Sequence, residues 1–269
     1  MGVDEKTMKL VNPDNPPKPL DDAALAQIGA LAQRQRRANG VLMKAINFVG
    51  GQVEDTLKML PKGTRKQIDE GARAALQKSY EVAAKTRQGA SGRAVTTDRA
   101  HKVMATVTGA LGGLGGLPTA IAELPVATTM IFRAVQGVAE HYGEDPSSTE
   151  TRLQCLAVFG AGGPGTEDDG VDTAFFGARI GLTGAAVHGL IAKVAPRFAT
   201  VLSQKLATQA VPILGAAAGA GTNYAFTDYY VEMAHVHFGL RKIARDHDAE
   251  KVAEAFHRAL VKKVPVNRA

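Results

Sequence analysis

The stretch LPTAIAELPVAT, residues 117–128, sets a single carboxylate, Glu123, between Pro118 and Pro125 in a long uncharged run. From Val103 to Phe132 no other residue carries a charge; Lys102 precedes the run and Arg133 follows it. Such a run belongs to a membrane span, to a close-packed helix or to a helix lining a polar pocket. Glycine and threonine dilute its hydrophobicity and the prolines interrupt it, so close packing or interfacial contact is expected rather than a span. Leu124-Pro125 reads as a helix restarting at Pro125 after a bend following Pro118. Glu123 would then accept the N–H groups that open the new helix and complement its dipole.

The same grammar returns in LATQAVPILGAAAGAGTNYAFT, residues 206–227, which is also uncharged, and in GARIGLTGAAVHGLIAKV between the two runs. Small residues stand four apart in all three: Gly109 and Gly113, Gly112 and Gly116, Gly177 and Gly181, Gly215 and Gly219. That spacing lets helix backbones approach closely. Alternating strand patterns are short, and Val, Ile and Thr recur among Ala and Gly at helical spacing. The fold class that follows is all-α, a single multi-helix bundle with closely packed Gly/Ala-rich central helices, roughly eight to ten helices in all.

Three parts are expected along the chain. Residues 1–20 form a Pro-rich leader, with VNPDNPPKP at 11–19 unable to propagate a helix. Residues 21–94 hold amphipathic, basic helices. Asp21 and Asp22 are N-cap candidates for the first of these, and VLMKAINFVGGQVEDTLKMLP follows it. Pro61 opens another, in which Ile68, Ala72, Ala75, Leu76, Ser79 and Ala83 recur at helical spacing. Arg65, Lys66, Arg73, Lys78 and Lys85 occupy its other faces. RQGASGRAV, residues 87–95, reads as a linker, and residues 95–269 form the Gly/Ala-rich helical core.

The chain has 269 residues, enough to bury a core without metals or disulfides. Aromatics make up 5%, Trp is absent and Gly reaches 29, which predicts a core of small side chains rather than aromatic anchors. Net charge is +6 and the pI is near 9.4, favouring anionic partners. With few aromatics for base stacking and no zinc-finger or RNP-like pattern, nucleic acid is not expected among them. The single cysteine, Cys155 in RLQCLAVF, reads as a small buried hydrophobe and agrees with a reducing compartment. MGVDEKTMKL is too polar for a signal peptide, and Lys6 breaks the myristoylation pattern. A cytoplasmic location is expected.

FGAGGPG, residues 159–165, spells G-x-G-x-x-G with Gly160, Gly162 and Gly165. A dinucleotide loop needs a helix opening at the third glycine. Here Pro164 precedes it, and Glu167, Asp168, Asp169 and Asp172 follow, where they would repel a pyrophosphate. No cofactor is expected. In AFTDYYVEMAHVHFG, residues 225–239, Asp228, Glu232 and His235 stand at i, i+4 and i+7 on one face. They are candidates for a polar stripe, or for metal or proton-transfer ligands with Glu123 as a fourth. Arg133 or Arg152 would supply the counter-charge of such a pocket. EHYG at 140–143 and VHFG at 236–239 both read as helix ends, with glycine as the cap and His141 or His237 facing the negative end of the dipole. No hydrolase triad, nucleophile elbow, P-loop or H-E-x-x-H occurs, so no catalytic residue is assigned.

The run TGALGGLGGLPTAIAELPVATTMIFRAVQGVAEHYGEDPSSTETRLQCLAVF, residues 108–159, resembles the EcsC family of bacterial proteins. The resemblance rests on the Gly-rich approach, Glu123-Leu124-Pro125, the helix bearing Arg133, the turn Tyr142-Gly143-Glu144-Asp145, and the helix of Arg152. PILGAAAGAGTNYAFTDYYVEMAHVHFGLRKIA, residues 212–244, resembles the family's second Gly/Ala-rich block. The resemblance implies an all-α protein, cytoplasmic or membrane-associated, with no agreed activity. The leading expectation is a non-catalytic protein, peripheral at the inner face of the cell membrane. Its partner would be anionic lipid or a membrane-protein complex, with an apolar small molecule as a further candidate ligand. The rival is a hydrolase using Glu123, Asp228, Glu232 and His235 around a metal or water.

Overall fold

The computed structural model describes residues 17–50, 62–86, 106, 116–160, 188–196, 198–199, 202 and 215–261, with side chains chiefly over 17–40, 63–82, 125–160, 188–202 and 220–261. Among them every named element is a helix: α1 (Asp22–Gly50), α2 (Lys62–Thr86), α3 (Gly116–His141), α4 (Thr149–Val158), α5 (Gly215–Ile243) and α6 (Ala249–Val261). The bundle is all-α.

Local chemistry marks the helix ends. Asp21 caps α1, its Oδ1 accepting the Ala24 N–H at 2.7 Å. Ser148 caps α4 through the Thr151 N–H (3.1 Å), and Asp248 caps α6 through those of Glu250 and Lys251. α3 closes at Gly143, whose φ of +78° suits glycine. There the Glu144 N–H reaches Ala139 O (3.0 Å) and the Gly143 N–H reaches Glu140 O (2.9 Å), satisfying carbonyls that the helix leaves open.

Two expectations about helix ends are corrected. α3 does not restart at Pro125; it runs unbroken from Gly116 with Pro125 inside it. Pro118 falls in the first turn, where a missing N–H costs nothing. Beyond Pro125, Thr129 Oγ1 donates to the proline carbonyl at 2.8 Å. VHFG does not end a helix either: α5 continues past Gly239 to Ile243. A Cβ on Gly239 would stand 2.9 Å from Leu31 Cδ2, so this glycine seats α1 against α5.

α5 is the axis. From Ala225 to Leu240 nearly every residue is buried, as expected of a helix surrounded by others. α1, α3, α4 and α6 all pack on it, and α2 packs on α3. Side-chain contacts fix the directions. Leu31 meets Gly239 and Arg34 meets Glu232, so α1 runs antiparallel to α5. Glu150 with Arg241 and Phe159 with Tyr230 make α4 antiparallel as well. In α3, Phe132 stacks on Phe159, which touches Tyr230, while His141 meets His235; α3 therefore runs parallel to α5. Arg36 donates to Ala259 O (2.7 Å) and Leu260 O (3.1 Å), tying the end of α6 to α1.

The centre of the core is aromatic, against the expectation from composition. Phe132, Phe159, Phe198 and Tyr230 form one cluster with ring centroids 5.0–6.1 Å apart. Few aromatics are present, but helical spacing gathers them at one level, where each buries far more area than an alanine. Alanine lines the helix contacts around them, among them Ala24, Ala32, Ala72, Ala134, Ala139 and Ala234. Ile68, Ala72, Ala75, Leu76 and Ser79 form the buried face of α2, while Lys66, Arg73 and Lys78 are exposed.

Candidate functional site

The parallel pair α3–α5 has two unlike ends. Above the aromatic level lies a polar layer. His237 is buried, and Nε2 of its ring donates to Gln154 Oε1 across 2.8 Å. Burial and the nearby Arg241 cation outweigh Glu144 and push the His237 pKa down to about 3, so the ring stays neutral. Higher still is an ion cluster. Arg241 Nε donates to Glu144 Oε1 at 2.8 Å, and its Nη2 to Glu150 Oε1; Arg245 Nη2 donates to the same Glu144 oxygen at 2.7 Å. Burial alone would raise the pKa of Glu144, but hydrogen bonds from both guanidiniums hold it below the ordinary value. Beside the cluster His141, Tyr142 and His235 form a triangle of rings, with centroids 5.1–6.0 Å apart. This end is tied together by charge.

The other end has almost none. From Gly116 to Phe132, α3 carries only Glu123; from Gly215 to Thr227, α5 carries no charge at all. Because the two helices are parallel, these halves point toward the same end. Val126 stands six residues before Phe132 on α3, and Tyr224 six residues before Tyr230 on α5, each about 9 Å along its helix from its ring of the aromatic cluster. Both are exposed, Val126 by 52% and Tyr224 by 44%, among the few large apolar side chains that are so among the described residues. The second half of α1 runs toward the same end. On α2, Ser79 Oγ lies 3.5 Å from Thr129 Oγ1, setting the exposed Lys78 beside it.

The residues singled out in the sequence are dispersed by this register. His235 Nδ1 faces Tyr142 Oη at 3.4 Å, whereas Glu232 is held by Arg34 of α1. Asp228 is half-buried on α5, two helical turns before His235. Glu123 lies on the backbone of α3 with its side chain outside the described residues; it stands about five turns, or about 27 Å, before His141, the residue of α3 whose ring meets His235. Arg133 is half-buried on α3, and Arg152 Nη2 donates to Thr149 Oγ1 (3.2 Å) within α4. Asp145 organises the turn after α3, accepting from the N–H and Oγ of Ser147. Among the described residues, no three His, Cys, Asp or Glu side chains are grouped to hold a metal ion. Of the FGAGGPG stretch, Gly160 is buried against Val194, and Gly162 and Gly165 lie outside the described residues. So do Gly109, Gly112, Gly113, Gly177 and Gly181.

Sequence reading missed the Glu144–Arg241–Glu150 cluster. Its signal was the pair of basic residues in the last turn of α5, Arg241 and Lys242, facing a turn rich in acids. The model of the EcsC protein family matches residues 22–171, a little over half of the chain. The chain belongs to the EcsC family. The family match begins with the first residue of α1 and takes in α1 to α4, while α5 and α6 lie beyond it. Neither a curated protein nor a solved structure matches the chain. No described helix of this EcsC-family chain is long and apolar enough to cross a membrane.

Proposed function

We propose that this EcsC-family protein is a non-catalytic cytoplasmic bundle that attaches peripherally to the inner face of the cell membrane. Its charge-poor end makes the contact. One observation supports this reading: the parallel α3 and α5 point their charge-poor halves toward one end, where Val126 on α3 and Tyr224 on α5 are exposed. A valine and a tyrosine can enter the headgroup boundary without the cost of burying a charge. Lys78 beside that end, and Lys66 and Arg73 further along α2, supply attraction to anionic lipid, although Lys66 shares its charge with Glu70 at 3.8 Å. A membrane-protein complex or an apolar small molecule would use the same apolar surface.

Vesicle co-sedimentation tests the proposal. The protein should pellet with anionic vesicles at low salt, release as salt is raised, and stay in solution with zwitterionic vesicles. Tyr224→Asp should weaken the anionic binding by about tenfold, corresponding to about 1.4 kcal/mol. Failure of the wild-type protein to bind anionic vesicles at low salt would remove the proposal.

A further inference from the structure

The polar layer between the aromatic cluster and the ion cluster has more buried donors than the protein can satisfy. Gln154, wholly buried on α4, gives its Oε1 to His237, and its Nε2 has no protein partner. Gln136 on α3 is 3% exposed, and its Nε2 also has none. The register makes them neighbours in height. Gln136 stands one turn beyond Phe132 on the same face of α3, and Gln154 stands just over one turn from Phe159 on the antiparallel α4; these two phenylalanines stack at 5.8 Å. Tyr230 Oη, buried one layer below, is a third donor without a protein partner. On α5 the residues between Tyr230 and His237 on that face are Met233 and Ala234, both buried.

Three such groups on three helices within two turns would each cost about as much as a lost hydrogen bond if left dry. All three can donate, so their common complement is an oxygen acceptor. The donors are neutral, and the Arg241 guanidinium one layer up is already spent on Glu144 and Glu150, which argues against an anion. We infer that the layer between Gln136 and Gln154 is a binding site for a small neutral hydrogen-bond acceptor, and that this acceptor is a long-lived internal water.

NMR on the intact wild-type protein tests this. The side-chain amide protons of Gln136 and Gln154 should show cross-relaxation to water with the sign of a slowly exchanging molecule. A high-resolution crystal structure should show an oxygen within about 3 Å of either Nε2. Gln136→Met, which keeps the shape and removes the donor, should lower the urea midpoint, because the water loses an anchor. Absence of water contacts at both amides, or the two carboxamides bonded to each other, would overturn the inference, as would a raised midpoint in Gln136→Met. Density for a larger carbonyl-bearing molecule would replace water as the occupant and overturn that part of it.

Discussion

One pair of helices is built in two ways along its length. At their C-terminal ends α3 and α5 are joined through Glu144, Glu150, Arg241 and Arg245, with His237 and Gln154 beneath. At their N-terminal ends the same two helices carry a single acid between them and expose Val126 and Tyr224. The difference shows where specificity and where tolerance reside. Charged and hydrogen-bonded groups that are buried must meet their partners, so the upper end is held to one arrangement. Alanine, glycine and threonine make no such demand.

Breaking the upper end should cost most. Arg241→Met removes the partner shared by Glu144 and Glu150, of which Glu144 is only 9% exposed. Arg245 keeps one bond to Glu144, so a loss of about 3 kcal/mol is expected in urea titrations. Acid should act next. The folded state holds His237 neutral down to about pH 3, whereas the unfolded chain takes up a proton near 6.5. Below pH 6.5 the unfolded state therefore binds the extra proton, and stability falls with pH, by about 2 kcal/mol at pH 5. His237→Gln should lose that slope between pH 6.5 and 5. Glu144 acts in the same direction but lower: its pKa is depressed, so its contribution is present above the ordinary carboxylate value and is lost as pH falls through the folded one.

Gly143→Ala should cost about 1 kcal/mol, because alanine must adopt the positive φ that closes α3. At the lower end the effect should nearly vanish. Val126→Asp and Tyr224→Asp replace exposed side chains and should change thermal stability by less than about 0.5 kcal/mol. A large loss there would mean that the two ends are not distinct.

The pairing EHYG and VHFG shows how much of this was legible. Both read as helix ends, and both contain His, an aromatic and Gly. In the first, glycine takes φ +78° and the helix stops. In the second, the helix runs on for another turn, glycine makes room for Leu31, and the histidine is buried and neutral. No local signal separates them; the choice is made by α1 and α4 packing from elsewhere in the chain. Helical periodicity carried the all-α fold and the buried face of α2, since both depend on neighbours three and four residues apart. Pro125 misled because proline's local cost was outweighed by the packing of a long α3. Of the polar pocket expected around Glu123, Asp228, Glu232 and His235 with Arg133 or Arg152, Glu232 and His235 share a helix face yet take partners on different helices, since a shared sequence pattern says nothing about axial register. Glu232 meets Arg34, 198 residues away, and Glu123 stands turns away from His235.

The central claim concerns the lower end, and lipid decides it. Binding of the wild-type protein and of Val126→Asp/Tyr224→Asp to anionic vesicles at low salt, with the fold of both checked by circular dichroism, measures it directly. The wild type should pellet, and the doubly substituted protein, equally folded, should remain in solution. Equal binding by both would contradict the account, and so would a wild-type protein that ignores the vesicles.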